Sequence, residues 1–129
     1  MDIYIAHNME ARDWLRSDVV PVLQAAGHTV TSQWILEDPY SLPRSENAEQ
    51  DLADIDRADI LLMFIDPFAD KPGKGKWVEW GYAMGSGCKA MLIGSDSSCV
   101  FCHHPSVIRA ADINSAIDLL AYLEQRQGR

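Results

Sequence analysis

The sequence predicts a three-layer α/β sandwich around a five-stranded parallel sheet in the order 2-1-3-4-5, of the flavodoxin or Rossmann kind. Three observations lead there. Strand-like and helix-like patterns alternate along the chain, with helices or long crossovers between the strands. Two stretches, ADILLMFID (58–66) and CKAMLIG (88–94), are continuous apolar runs, as expected of parallel strands covered on both faces. The length of 129 residues, 47% of them hydrophobic, suits one domain with a sizeable core, and no linker, repeat or low-complexity segment divides it.

In chain order, DIYIA (2–6) reads as the first strand, with Ile3 and Ile5 on one face. A helix follows, with Ala11, Trp14, Leu15, Val19, Val22, Leu23 and Ala26 inward and Gly27 as its stop, and Pro21 predicts a kink near Val20. HTVTSQWI (28–35) alternates and is rich in β-formers, so it reads as the second strand. After a loop with two prolines, Ser45 caps a helix with Glu46 and Glu49 in its first turns and Ala48, Leu52 and Ile55 inward. On that helix Asp51 is expected toward the carboxyl end of the sheet, with Asp54 and Asp56 facing water. The third strand is the apolar run 58–66. The loop PFADKPGKGK then leads into a helix from Trp77 to Ser86, closed by Gly87. Beyond the fourth strand (88–94) come the loop SDSSCVFCHHP, a short strand SVIRA and a helix from Asp112 to Gln125.

The net charge of −8 argues against a nucleic-acid polymer or an anionic membrane as the main partner, although Lys71, Lys74 and Lys76 form one local basic cluster. No run approaches eighteen apolar residues, and the opening MDIYIAH has no basic leader or cleavage site, so a cytoplasmic protein is expected. Three cysteines suggest thiols, not a disulfide framework. CVFCH (99–103) matches the haem c attachment pattern but has no export signal or axial-ligand context. Cys99, Cys102, His103 and His104 crowd one loop with no second pair elsewhere, a poor zinc site. Asp66 ends the third strand as a phosphoacceptor would, but the first strand ends without the acidic pair that a receiver domain uses for Mg²⁺. No metal or redox cofactor is expected.

In an open parallel sheet, ligands bind beyond the carboxyl ends of the strands, where the strand order reverses. The loops there are HNMEAR, with His7, Asn8 and Arg12, the stretch around Trp34, and PFADKPGKGK, with Gly73, Lys74 and Gly75. Glycines and lysines before a helix N-terminus suit an anion, though the spacing is not that of a P-loop. Glu79, third in a helix starting at Trp77, is expected to be held ionised by the positive helix end, as a nucleophile or base. A dipole-matched surface acid is the alternative.

IYIAH (3–7), QDLADIDRADILLMFID (50–66) and VEWGYAMGSGCKAMLIG (78–94) together resemble the nucleoside 2-deoxyribosyltransferase-like superfamily over roughly residues 3 to 94. That group includes nucleoside deoxyribosyltransferases and 2′-deoxynucleoside 5′-monophosphate N-glycosidases. The resemblance implies a glutamate nucleophile in E-x-G-[YR]-A, matched by Glu79, an aspartate on the preceding helix, matched by Asp51, and a first-strand tyrosine, matched by Tyr4. Gly73 and Gly75 match the loop that approaches the sugar or 5′-phosphate. Three positions depart from the family pattern. Gly73 stands where transferases carry a base-reading aspartate, and Asn8 and Glu10 stand where the nucleotide glycosidases carry a phosphate-binding serine and arginine. Arg12, Lys74 or Lys76 is then the candidate phosphate group, and Trp34 a candidate to stack on the base, with core packing as its other reading.

The implied reaction is cleavage of the N-glycosidic bond of a 2′-deoxynucleoside or its 5′-monophosphate through a covalent glycosyl-Glu79 intermediate, released to water or to a second base. A homodimer or higher homo-oligomer is also implied, with SSCVFCHHP as a candidate interface or lid. A non-catalytic nucleotide-sensing module of the same fold is the alternative.

Overall fold

Strand β1 (Asp2–Ala6) lies inside the sheet, pairing in parallel with β2 (Thr29–Val30) on one side and β3 (Ile60–Ile65) on the other. Strand β4 (Lys89–Gly94) adds to β3, and β5 (Ile108–Ala110) closes the far edge, giving the all-parallel order β2-β1-β3-β4-β5. The computed structural model describes residues 1–65, 74–94 and 99–127. The expected class and strand order are those observed. Ile3 to Ala6 and Ile60 to Phe64 are all buried, so both central strands are covered on both faces and form the middle of the core. The order reverses between β1 and β3, where Tyr4 is in register with Leu61.

The first helical stretch is not one regular helix. A 3-10 turn (Met9–Ala11) leads into α1 (Arg12–Trp14), a π segment (Leu15–Val19) and α2 (Val20–Ala25). Pro21 has no N–H to give, and its ring crowds the preceding turn. The helix widens just before it, with the Val20 N–H reaching back five residues to the Leu15 carbonyl. The wider turn also rotates the buried stripe. Leu15, Val19, Val20 and Leu23 face the core, whereas Trp14, Val22 and Ala26, expected inward, are exposed.

The second strand is shorter than expected, because Gln33, Trp34 and Ile35 belong to the single turn α3 (Gln33–Leu36). Competing partners end the ladder at this point. Ser32 Oγ accepts the Ile5 N–H at 2.6 Å, and the buried Asp54 carboxylate takes the Gln33 N–H at 2.9 Å. Helix α4 (Arg44–Asp56) starts after Pro43, not at Ser45, and Ala48 is exposed while Leu52 and Ile55 pack inward. Helix α5 (Lys74–Ser86) starts three residues before Trp77. Helix α6 (Ile113–Arg126) is capped by Asp112, whose carboxylate accepts the Ser115 N–H at 2.8 Å. Gly27 and Gly87, the expected stops, have φ of +92° and +85°.

Candidate active site

Tyr4 is fully buried on β1, and its hydroxyl donates to Glu79 Oε2 on α5. The bond spans 75 residues of sequence and ties the central strand to the helix that follows β3. Asp51 is carried by α4, which packs beside α5, and its charge acts on both Tyr4 and Glu79. Three chain segments thus converge beside the switch point. Tyr4 and Glu79 are in direct contact, and Asp51 is within electrostatic reach of both.

Burial sets the protonation of this group. Glu79 is pushed up to about 8, mainly by burial and further by Asp51, while the Tyr4 hydrogen bond pulls the other way. Asp51 is raised to about 6, by burial first and then by the charge of Asp54. The Tyr4 phenol is raised well above its ordinary value, again by burial first and then by Glu79. The expectation of an ionised Glu79 therefore fails for the ligand-free site at neutral pH. With α5 starting at Lys74, Glu79 stands beyond the first turn, where the helix field falls off and burial decides. One further feature points to a ligand. Asp51 Oδ1 and Asn8 Oδ1 are buried acceptors without a hydrogen-bond partner among the described residues.

The remaining sequence-derived candidates are placed unevenly. Asn8 and His7 follow β1, both more than nine-tenths buried. His7 accepts the Asn8 N–H on Nδ1 at 2.7 Å and stacks on Phe64 with ring centroids 6.0 Å apart. Trp14 stands edge-on to His7 and Phe64, at 6.2 and 5.6 Å, and keeps 44% of its surface exposed. The sequence reading assigned Trp14 to the core, and only the π segment, invisible in residue spacing, turns it outward. Trp34 is 93% buried, with its indole N–H on the Ile5 carbonyl at 3.0 Å, which is the core-packing alternative.

Arg12 is committed elsewhere, with Nε on the Trp34 carbonyl at 2.9 Å and Nη2 on the Glu37 carbonyl at 2.6 Å. Lys74 is exposed, and Gly75 lies within the first turn of α5 with open space around it, not in a loop. Lys76 is buried, its ammonium 5.7 Å from the Trp77 ring centroid. Gly73, Lys71 and the loop before them lie outside the described residues. Asp54, expected to face water, is fully buried, holding the Gln33 N–H and amide and an ion pair to Arg57 at 2.5 Å. Asp56 is exposed as expected and accepts the Tyr82 hydroxyl at 2.7 Å. Among the described residues, no group of three or more His, Cys, Asp or Glu side chains is placed to hold a metal ion, and no helix is long and apolar enough to cross a membrane.

Fold and site together define a doubly wound α/β domain with a tyrosine and two coupled carboxylates at its switch point. No protein-family profile and no curated protein matches the sequence. Solved structures do match. A CMP N-glycosidase from Clostridium botulinum superposes with a TM-score of 0.64 at 17% identity, covering 95% of this chain and 99% of that one. A 2-deoxyribosyltransferase from the psychrotolerant bacterium Bacillus psychrosaccharolyticus superposes with a TM-score of 0.67 at 26% identity, covering 91% of this chain and 90% of that one. The first of these shares the fold, and the second also supports the resemblance to the nucleoside 2-deoxyribosyltransferase-like superfamily.

Proposed function

We propose that the protein cleaves the N-glycosidic bond of a 2′-deoxynucleoside or its 5′-monophosphate, with Glu79 as nucleophile. The observation that carries this reading is the convergence of buried Tyr4 with the partly buried Glu79 and Asp51, contributed by three separate segments. Glu79 attacks C1′ as the C1′–N bond breaks, through an oxocarbenium-like transition state. The departing base needs a proton, and Asp51 is the second carboxyl group suited to supply it. Tyr4 holds Glu79 in place and stabilises its charged form. Water, or a second base, then attacks C1′ and frees Glu79. The kinship with an N-glycosidase and a 2-deoxyribosyltransferase supports this reaction class and leaves both acceptors in play.

Substrate contacts follow from the geometry. The orphaned acceptors Asn8 Oδ1 and Asp51 Oδ1 suit hydroxyl or amino donors of a bound nucleoside. Trp14, edge-on to His7 and Phe64, offers an exposed aromatic surface for a base, which Trp34 does not. Of the cations assigned to a phosphate, Lys74 is left with an exposed ammonium, and it stands at the start of α5. A homodimer accompanies this reading, supported by the exposed Val100 and Phe101 beside an apolar groove of about 470 Å³ between α5 and the loop after β4.

The test is to incubate the protein with a panel of nucleosides and 5′-monophosphates and to follow free base by chromatography. Base release that is lost in Glu79→Ala is the expected result. If no substrate yields base, the chain is the non-catalytic nucleotide-binding module instead. Release that persists in Glu79→Ala removes the nucleophile assignment. Adding a second base to the same reaction separates transfer from hydrolysis.

A further inference from the structure

Outside the Tyr4–Asp51–Glu79 group, two thiols share the short turn after β4. Cys99 and Cys102 are spaced C-x-x-C across a 3-10 turn (Val100–His103), and the Cys102 N–H donates to the Cys99 carbonyl at 3.0 Å. Cys99 is the N-cap of that turn, with extended backbone at φ −68° and ψ 122°, and Cys102 is its third residue. Its closing hydrogen bond keeps the two Cα atoms within about 7 Å. A disulfide needs a Cα separation of roughly 4.4–6.8 Å, so the backbone is already close to that range.

The turn is also held from outside. Trp80 Nε1 donates to the Phe101 carbonyl at 3.3 Å, and Arg109 Nη2 donates to the Cys102 carbonyl at 2.8 Å. The two sulfurs differ in access. Cys102 is fully buried, whereas Cys99 is partly exposed and lines the apolar groove with Trp77, Trp80, Met84 and Phe101. Lys76 supplies a second, independent observation. It is more than nine-tenths buried on α5; burial lowers its pKa, and the charge of Cys102, within electrostatic reach, acts the other way. Where that ammonium keeps its proton, its charge favours the Cys102 thiolate, the attacking form.

We propose that Cys99 and Cys102 form a dithiol site that exchanges with low-molecular-weight disulfides and closes an internal disulfide. Cys99 is the outer thiol. Its thiolate attacks one sulfur of the incoming disulfide, forming a mixed disulfide and expelling one small thiolate. The Cys102 thiolate, within electrostatic reach of Lys76, then attacks Cys99 Sγ and expels the second. The two protein thiols are oxidised, the incoming disulfide is reduced to two thiols, and their two protons pass to the leaving thiolates. The site is independent of the glycosidic reading, because none of its groups belongs to the Tyr4–Asp51–Glu79 set.

The experiment uses the full chain with oxidised glutathione, followed by unfolding in denaturant with alkylation, and intact-mass and peptide analysis. In the wild type, Cys99 and Cys102 become inaccessible to the alkylating agent, the protein is lighter by two hydrogen atoms, and dithiothreitol reverses the change. Cys88, which is partly buried and raised in pKa by burial and by Asp59, stays alkylatable and serves as the internal control. Cys102→Ser retains one glutathione on Cys99, and Cys99→Ser leaves Cys102 unreacted. Lys76→Met prolongs the mixed disulfide about tenfold, as loss of a cation beside a thiolate requires. The proposal is overturned if the wild type keeps glutathione on Cys99 as Cys102→Ser does, or if neither thiol of the folded protein reacts.

Discussion

Glu79 and Asp51 are raised by different amounts, to about 8 and about 6, so between those values the pair holds a single proton. The proposed chemistry needs that inventory, one carboxylate to attack and one carboxylic acid to protonate the leaving base. The proton rests mainly on Glu79 in the ligand-free site, and the working arrangement is the one with it on Asp51. We therefore expect a bell-shaped profile of kcat/KM against pH, with limbs near 6 and 8; a flat profile across that range would sink the assignment. Tyr4→Phe removes the hydrogen bond that lowers the Glu79 pKa, so the upper limb moves to higher pH and the neutral rate falls about tenfold to a hundredfold. Asp51→Asn removes the proton donor and slows base release by about 10²–10⁴. The three positions proposed for this site come from short motifs of the sequence. Their charge states were not legible there, because burial depends on what packs over a side chain and not on where it stands along a helix.

At the scale of elements, the buried Asp54 explains why the second strand stops early. Its carboxylate takes the first N–H of α3, the Gln33 amide and Arg57, and its carbonyl accepts the Thr31 hydroxyl at 2.9 Å. Replacing it with alanine leaves a buried N–H unpaired and unties the corner joining β2, α3 and α4. We expect Asp54→Ala to destabilise the fold by about 2–3 kcal/mol in urea unfolding, and a loss within error of zero would contradict this role. Gly94 ends β4 with φ at +113°, where a Cβ would lie 2.3 Å from the Ile65 carbonyl oxygen. Gly94→Ala should therefore cost about 2 kcal/mol or more, readable as a lowered thermal midpoint. Neither effect was visible in the sequence, where Asp54 looked like a solvent-facing helical acid and Gly94 merely closed an apolar run. Continuous runs such as ILLMFI predicted central strands correctly, because a strand covered on both faces leaves no room for polar side chains. Alternation misled at 28–35, where a distant carboxylate outcompeted the next rung of the ladder.

At the scale of the whole molecule, the site should leave a signature in the dependence of stability on pH. Glu79 rises from 4.5 to about 8 on folding and Asp51 from 3.8 to about 6, so in the window between roughly 4 and 8 the native state binds more protons than the unfolded chain. Stability contributed by these groups is complete below their unfolded values and is lost as the pH rises through their folded ones. The net charge of −8 at neutral pH adds self-repulsion of the same sign. His28 opposes the trend, because burial, and then the N-terminal amine, lower its pKa and make acid pH destabilising below about 6.5. A single titrating group separates the contributions. Glu79→Gln keeps an acceptor for the Tyr4 hydroxyl but cannot ionise, so it escapes the burial cost that the wild type meets in alkaline solution. We expect this variant to be more stable than the wild type by up to about 3 kcal/mol at pH 9, and to converge with it near pH 4, in urea melts across that range. A difference that is constant with pH would mean that Glu79 titrates alike in the folded and unfolded chain. The partly buried carboxylate pair as a shared titrating unit, and the single proton that it holds at neutral pH, would then both fall.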